Sequence, residues 1–327
     1  SLADQGHELE WVVGLLPGAD PAPLPVDALV RRIDIGDFRG LGDAKRRLCE
    51  ATRGDILVAL EPGDVVAEGA LAKLAAAFAE PDVGFVAGDF AEPPSPIERP
   101  GSSVYPCEIR GARLSARASL PLGAHALTHV QTIPRGLRSW RKSVYAALGG
   151  HDAGLPIAEG YDLVCRTYLG TTCKQLAEPL CSIRPDLDEV DGTTPNPDLQ
   201  RLCGNGANDR QPSAGQAVPL RDRYLHPLVA RQADLRGLPR YDIGGGIYGA
   251  PGWKTLDISG QPDVQWDVFG SKRLPFEDDS IGAFRAFDFF EHGEDMDAFW
   301  LMDELHRCLA PGGWLISYTP HALGIGA

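Results

Sequence analysis

Three aspartates follow apolar segments in the second half of the chain, beside a run of glycines. Asp242 stands just before Gly244 and Gly246, Asp257 closes the next apolar segment, and Asp267 closes the one after it. Glycines lack a Cβ, so a ligand can approach their backbone closely. Carboxylates at the carboxyl edge of a parallel sheet accept hydrogen bonds from ribose hydroxyls and from an adenine amino group. The spacing therefore predicts a binding edge for ribose and adenine.

The same glycines allow a second interpretation. Gly244 to Gly249 satisfies G-x-G-x-x-G, the pattern of dinucleotide-binding folds. That fold expects a crossover helix and then an acidic residue about 20 positions on, whereas Asp257 comes eight residues after Gly249. An NAD-dependent oxidoreductase built on these glycines is the alternative interpretation. It predicts that NADH fluorescence shifts when NADH is mixed with the protein.

One pair of histidines suggests a metal ion. His125 and His129 are four residues apart and would share one face of a helix. Because no third ligand stands nearby in the sequence, a structural role for both rings is favoured.

The sequence pattern of the first half predicts strands that alternate with helices. At about 150 residues per domain, the 327 residues predict two domains. Alternation at this spacing predicts a parallel sheet covered by helices on both faces. The predicted strands are Trp11 to Leu16, Asp55 to Leu60 and Gly84 to Val86, and the predicted helices are Gly42 to Thr52, Gly69 to Glu80, Arg141 to Leu148 and Tyr161 to Leu169.

A polar stretch separates the two halves. From Arg184 to about Val218 the composition shifts to Asp, Pro, Asn, Gly and Thr, which predicts a first domain at 1–185, a linker at 186–220 and a second domain at 221–327. A short helix, Pro227 to Leu235, would open the second domain with proline in its first turn. The elements predicted after it are the strands Tyr241 to Gly246, Trp253 to Ile258, Val264 to Val268, Ala283 to Phe287 and Trp314 to Tyr318, and a helix from Asp295 to Leu309.

Composition and charge exclude several classes of protein. With 31 basic and 45 acidic side chains the formal charge is −14, which repels phosphate backbones and argues against a nucleic-acid partner. No apolar run reaches the roughly 18 residues of a membrane span. The seven cysteines form no C-x-x-C pair, which is typical of reduced thiols and predicts a cytoplasmic protein.

The second half carries five short motifs in a fixed order. They are Asp242-x-Gly244-x-Gly246, Leu256-Asp257-Ile258, Leu274-Pro275-Phe276-Glu277-Asp278, Phe290-Glu291-His292 and Glu304-x-x-Arg307-x-Leu309-x-Pro311-Gly312-Gly313. Residues 240–320 thereby resemble class I S-adenosylmethionine-dependent methyltransferases, and the resemblance implies a Rossmann-like α/β fold.

The resemblance also implies which residues bind S-adenosylmethionine. Gly244 and Gly246, preceded by Asp242, would line the methionine part of the cofactor. Asp257 would hold the ribose, and Asp267 would lie near the adenine.

The methyl-transfer centre would be flanked by residues Asp288 to His292. Methyl transfer needs mainly an aligned nucleophile, because the sulfonium is already a strong electrophile. His292 is the only side chain there of a type that titrates near neutral pH, so it is the candidate general base for a hydroxyl acceptor.

Two features depart from the methyltransferase pattern. The connection from Gly246 to Lys254 is shorter than the roughly ten residues of a crossover helix. The family continues with two more strands after the position of Tyr318, so we expect an incomplete domain with an exposed sheet edge. A first residue that is Ser1 rather than Met likewise predicts a piece of a longer protein.

The first half carries several motifs that point to another family. They are Gly40-Leu41-Gly42-Asp43-Ala44-Lys45, Arg53 to Asp64, Gly84 to Asp89, Trp140-Arg141-Lys142-Ser143 with Leu148-Gly149-Gly150-His151-Asp152, and Ala158-Glu159-Gly160-Tyr161-Asp162-Leu163. Residues 1–185 are similar in this order to family 2 glycosyltransferases of the GT-A fold. The resemblance implies a nucleotide-sugar donor and a saccharide or glycan acceptor.

Several functional positions of that family are changed here. The family holds Mg or Mn on a D-x-D motif, because a diphosphate leaving group must have its charge neutralised. The equivalent stretch, Glu61-Pro62-Gly63-Asp64, leaves Glu61 and Asp64 as the implied ligands. The family's Glu-Asp pair is Glu159-Gly160 here, which makes Glu159 or Asp162 the substitute base.

The sequence as a whole therefore predicts a bifunctional transferase, α/β in both domains. It would transfer a glycosyl group from a nucleotide-sugar and a methyl group from S-adenosylmethionine, in glycan or polysaccharide biosynthesis. The first alternative is a methyltransferase with a degenerate, non-catalytic carbohydrate-binding domain. A purely structural scaffold is the last alternative, because it leaves the strand-end carboxylates unexplained.

Overall fold

The structure, a computed structural model, forms two compact units, Ser1–Leu225 and His226–Ala327. Most of the predicted linker, residues 186–219, lies outside the described residues. Within the described ranges, no helix has both the length and the apolar character needed to cross a membrane. The described residues are 9–15, 30–61, 63–94, 104–129, 134–155, 158–183, 220–246, 249–293 and 297–318.

The N-terminal unit contains two sheets. Strands β1 (Trp11–Leu15) and β2 (Val30–Asp34) pair in parallel as a small sheet. The larger sheet has the order β3-β8-β5-β7-β6, and β9 pairs with both β5 and β4. Its strands are β3 (Ile56–Ala59), β4 (Val65–Val66), β5 (Val83–Glu92), β6 (Val104–Ile109), β7 (Ala112–Arg117), β8 (Arg138–Arg141) and β9 (Thr172–Ser182).

The larger sheet is mixed, so the predicted parallel sheet is wrong for this unit. Strand β5 runs antiparallel to β7 and β8 and parallel to β9. Strands β6 and β7 are joined only by Arg110 and Gly111, whose φ angles are 51° and 80°. A connection of two residues permits only antiparallel pairing.

Helices pack on this sheet through residues at helical spacing. Helix α2 buries Ala70, Leu74 and Ala77, which recur at i, i+4 and i+7, in the core beside β5. The predicted strand at Gly84 to Val86 lies near the start of β5, which is buried along nearly its whole length. The helices are α1 (Leu41–Ala51), α2 (Ala70–Ala77), α3 (Ala124–His129), α4 (Lys142–Ala147) and α5 (Glu159–Gly170).

The C-terminal unit contains one sheet of order β12-β11-β10-β13-β14. All of its strand pairs are parallel, which confirms the predicted parallel α/β arrangement for this unit. Helix α6 (Leu220–Leu235) begins within the N-terminal unit and continues into this one. The other elements are β10 (Arg240–Ile243), β11 (Lys254–Asp257), β12 (Val264–Gln265), α7 (Val268–Ser271), β13 (Ile281–Phe287), a 3-10 turn (Phe290–His292), α8 (Asp297–Cys308) and β14 (Leu309–Tyr318).

Two boundaries in this part differ from the prediction. Helix α6 begins at Leu220, so Pro227 lies inside the helix rather than in its first turn. Strand β14 begins at Leu309, and the predicted turn Pro311 to Gly313 lies within it, at an irregularity in its pairing with β13. Helix α8 covers the sheet with Leu301, Leu305 and Cys308.

Candidate functional site

Three distant segments of the N-terminal unit meet at Lys45 on helix α1. The Lys45 ammonium lies 2.7 Å from Glu61 Oε1, in the loop after β3, and 3.2 Å from Glu159 Oε1, at the start of α5. Burial alone would lower the pKa of Lys45, but the two carboxylates outweigh burial and raise the pKa above its ordinary value. The structure thus brings together two of the predicted site residues and adds a lysine between them.

Glycine on α1 makes this approach possible. A Cβ at Gly42 would lie 2.5 Å from the carbonyl oxygen of Asp152 and 3.2 Å from the Cβ of Glu159. Helix α1, the turn that ends at Asp152 and helix α5 therefore pack closely at one point. Ala158, just before α5, has a φ of 62°, a left-handed conformation rare for a residue with a side chain.

A buried histidine lies beside this cluster. His151 Nδ1 is 2.8 Å from the hydroxyl of Tyr145, and His151 is 5% exposed. Burial, together with the charges of Lys45 and Arg138, lowers the pKa of His151 to about 3. The ring is therefore neutral at pH 7.

Asp162, the other predicted base, is held inside the unit. It is 2% exposed and accepts hydrogen bonds from Arg166 Nε at 2.9 Å and from the hydroxyl of Tyr224. These partners occupy both carboxylate oxygens, which favours a positioning role for Asp162 over proton transfer.

Glu61 and Asp64 do not fit the divalent metal that the glycosyltransferase resemblance implies. The Glu61 carboxylate pairs with Lys45, and an ammonium at 2.7 Å repels a second cation. The Asp64 Oδ2 atom accepts the backbone N–H of Glu61 at 3.0 Å, which closes the turn. Among the residues described, no three His, Cys, Asp or Glu side chains form a metal-binding group. His125 is exposed on α3, and the side chain of His129 is outside the described part.

The C-terminal unit brings the glycine loop against Asp257. Gly244 and Gly246 have φ angles of 70° and 49°, in the left-handed region that favours glycine. The Gly246 N–H donates to Asp257 Oδ2 at 3.0 Å, and the Ser259 N–H donates to Asp257 Oδ1 at 3.2 Å. Each oxygen keeps a lone pair for another donor, and a Cβ at Gly246 would meet only this carboxylate, at 3.8 Å. The Asp257 carboxylate fits the hydroxyls of a ribose, and the glycine backbone leaves room for a ligand to lie close to it.

Asp242 stabilises the glycine loop through buried contacts. It is 1% exposed, accepts the Ala250 N–H at 2.9 Å and pairs with the Arg285 guanidinium. The Arg285 guanidinium in turn lies 4.0 Å from the centre of the Phe287 ring. Asp242 was predicted to bind a cofactor, and these contacts give it a positioning role instead.

Asp267 caps a short helix beside an aromatic pair. Its Oδ1 accepts the Gly270 N–H at 2.8 Å at the start of α7. Phe269 and Phe289 stack with ring centroids 5.0 Å apart, and a Cβ at Gly244 would lie 2.3 Å from Phe289. Sequence reasoning missed this pair, because stacking joins residues on separate elements.

Asp288 and His292 lie in the segment that follows β13. Asp288 is exposed with a φ of 48°, and its N–H donates to the carbonyl of Tyr318 at 2.9 Å. His292 is exposed at the end of the 3-10 turn, next to residues 294–296, which the structure does not describe. The strained backbone at Asp288 is a feature that functional segments often share.

The later motifs of the second half form a structural brace. Arg307 donates to Glu304 Oε1 at 2.9 Å, to Asp278 Oδ1 at 2.7 Å and to the carbonyl of Phe276 at 2.9 Å. The other Glu304 oxygen accepts the Leu274 N–H at 2.9 Å. The hydrogen bond from Arg307 is the main cause that lowers the pKa of Glu304 below its ordinary value. The brace fixes the loop before β13 on helix α8.

Comparison with known proteins finds matches among solved structures. No protein-family model matches the chain, and no curated protein matches it. Among solved structures, S. aureus TarS 1-349 is similar at 10% identity and a TM-score of 0.38, over 63% of this chain and 55% of that one. The mannosyltransferase PcManGT from Pyrobaculum calidifontis, in complex with GDP-Man and Mn²⁺, is similar at 15% identity and a TM-score of 0.40, over 69% and 62%.

The TarS structure with UDP-GlcNAc is similar at 12% identity and a TM-score of 0.37, over 63% of this chain and 56% of that one. The chain thus spans less than two thirds of each of these solved chains. The similar structures are glycosyltransferases of low sequence identity.

Proposed function

We propose that the chain is a transferase with two donor sites, one in each unit. The C-terminal unit would use S-adenosylmethionine to methylate a saccharide hydroxyl. The N-terminal unit would bind a nucleotide-sugar and transfer its glycosyl group. A growing glycan that is both extended and methylated by one chain benefits from the high local concentration of the second site.

One observation carries the methyl-donor assignment. The glycine loop after β10 and the carboxylate at the end of β11 lie on neighbouring parallel strands and are joined by the hydrogen bond from Gly246 to Asp257. Ligands of open parallel α/β sheets bind outside the carboxyl ends of the strands, where the strand order reverses. Here the chain passes from β10 outward to β12 and then returns to β13 on the other side of β10, so the loop lies at such a point.

The chain's own residues would bind and orient the donor. S-adenosylmethionine supplies an electrophilic methyl group when bound. Asp257 would accept the ribose hydroxyls, and the backbone at Gly244 and Gly246 would line the rest of the ligand. The stacked Phe269 and Phe289 would provide an apolar wall for the adenine. His292, exposed at the end of the turn after β13, would take the proton of the acceptor hydroxyl.

Saturation-transfer NMR with S-adenosylmethionine tests this assignment. We expect saturation of the adenine and ribose protons by the intact chain. Phe269→Leu should reduce the adenine signal relative to the ribose signal. Phe299→Leu, which alters a phenylalanine that is 69% exposed on α8, is the matched control and should change neither. Absence of any transferred signal from the folded chain would reject the assignment.

A second observation supports a sugar-nucleotide site in the N-terminal unit. The glycosyltransferase-like motifs around Lys45, Glu61, Asp152 and Glu159 are far apart in the sequence, yet their side chains or backbones lie within contact distance. Glu159 is the carboxylate of this cluster that would accept the proton of the attacking hydroxyl.

Equilibrium binding followed by a transfer assay tests the second site. The probes are UDP-GlcNAc and GDP-mannose, which are bound in two of the similar structures. We expect binding, and release of the nucleoside diphosphate when saccharide acceptors are added. Binding without release would support the alternative of a non-catalytic binding domain. No binding of either sugar nucleotide would reject the donor site.

A further inference from the structure

The carboxylates around Lys45 differ in their freedom to move. The Glu159 side chain is 10% exposed, whereas the Glu61 side chain is 58% exposed and lies in a loop. The contact between Lys45 and Glu159 is therefore the fixed part of the cluster. The contact with Glu61 lies on the solvent side, where an anion can take the place of the carboxylate with little loss of packing.

A second cation lines the same cluster. The guanidinium of Arg138 occupies the space beside Gly160, where a Cβ would lie 2.9 Å from Nη1. The charges of Lys45 and Arg138 add to the effect of burial and lower the pKa of His151, which stays neutral at this position. Lys45, paired with Glu61 and Glu159, therefore stands where the family resemblance implies a metal ion held by acids.

We propose that the Lys45 ammonium takes the place of the divalent cation in the N-terminal unit, and that this unit binds a nucleoside diphosphate without Mg²⁺ or Mn²⁺. Lys45 remains on Glu159 and exchanges Glu61 for a phosphate oxygen. A charged hydrogen bond from an ammonium to phosphate supplies the attraction that the metal would otherwise give. The diphosphate part of this inference rests on the proposed donor site, whereas the cation part does not.

Titration with Mn²⁺, followed by electron paramagnetic resonance, tests the cation part alone. The wild-type chain should show no site tighter than about 1 mM, and Glu61→Gln should leave its titration unchanged. Lys45→Met removes the ammonium but keeps the length of the side chain, and it should gain a Mn²⁺ site at least about tenfold tighter. The double variant Lys45→Met/Glu61→Gln should lose that gain.

The control for charge removal is Lys73→Met. Lys73 pairs with Glu178 on an exposed surface away from the cluster, so this variant should behave like the wild type. A Mn²⁺ site in the wild-type chain that Glu61→Gln abolishes would overturn the inference. Failure of a folded Lys45→Met variant to gain a site would also overturn it. Glu61→Gln changes an exposed residue, so the first of these results does not depend on how Lys45→Met folds.

Binding of UDP and GDP in EDTA tests the diphosphate part. We expect equal affinity in EDTA and in Mn²⁺, and a loss of at least about tenfold in Lys45→Met. Binding that requires Mn²⁺ would contradict the inference. If no nucleotide binds under either condition, the proposed donor site fails and the diphosphate part fails with it, while the Mn²⁺ titration still decides the role of Lys45.

Discussion

His151 should make the N-terminal unit sensitive to mild acid. Burial lowers the pKa of this imidazole from 6.5 to about 3. Between these two pH values the unfolded chain binds a proton that the folded chain does not, so stability falls as the pH decreases through this window. Each pH unit within the window costs at most about 1.4 kcal/mol. Over two units below the unfolded pKa, the free energy of unfolding should therefore fall by roughly 2 to 3 kcal/mol.

The comparison is made with His151→Asn, which keeps a hydrogen-bonding group beside Tyr145 but does not titrate. Urea unfolding of the N-terminal unit is measured at neutral pH and at about two pH units below the ordinary imidazole pKa of 6.5. The wild type should lose more stability than the variant by the amount above. His125→Asn, which removes an exposed imidazole, is the control and should follow the wild type. Equal losses in wild type and His151→Asn would refute the reasoning, as would an NMR titration of the His151 ring with a midpoint near 6.5.

Three further substitutions test the packing that positions the sites. Arg307→Met removes the donor of the brace on α8 and should lower the free energy of unfolding of the C-terminal unit by about 2 to 3 kcal/mol in urea titrations. Asp162→Ala leaves the Arg166 guanidinium without its buried carboxylate and should cost about 3 to 5 kcal/mol in the N-terminal unit. Gly42→Ala places a Cβ 2.5 Å from the Asp152 carbonyl, so it should cost about 1 to 3 kcal/mol and weaken Lys45-dependent binding.

Each of these substitutions has an outcome that contradicts its explanation. A change below about 0.5 kcal/mol for Arg307→Met or Asp162→Ala would be the value of an ordinary surface substitution. It would mean that the polar network does not support the fold. A Gly42→Ala variant with wild-type stability would show that α1 and the Asp152 turn are less closely packed than the structure indicates.

The sequence predicted the strands of the C-terminal sheet well because glycines and acids mark their carboxyl ends. The ends of strands β10, β11 and β13 are marked in this way. The prediction of parallel pairing came from the alternation of these strands with polar connections and a helix. The candidate site residues Gly246 and Asp257 were chosen for the same reason, since Gly246 lies in the loop after β10 and Asp257 ends β11.

Strands β8 and β9 of the N-terminal sheet were not predicted, and both contain charged residues. Strand β8 contains two arginines, and Arg141 Nη2 donates to the carbonyl of Phe78 at 2.8 Å, so its charge is satisfied inside the unit. Strand β9 contains Lys174 and Glu178. Neither strand shows the apolar run or the strict alternation that marks strands in a sequence.

The contact of Lys45 with Glu159 is tertiary and had no local signal in the sequence. Its partner Glu159 is 114 positions away in the chain, and no spacing rule connects residues so far apart. Asp162 illustrates the same limit. Its partner Tyr224 lies 62 positions on, so the sequence favoured a catalytic carboxylate where the structure has a buried hydrogen-bond acceptor.

Calorimetric titration with S-adenosylmethionine tests the central claim most directly. We expect the wild-type chain to bind the donor with a dissociation constant on the order of micromolar. Asp257→Ala should abolish this binding, because the carboxylate beside Gly246 is gone. Asp303→Ala, which removes an exposed acid on α8, should bind like the wild type. No binding by the folded wild-type chain, or unchanged binding by Asp257→Ala, would contradict the assignment of a methyl-donor site to the C-terminal unit.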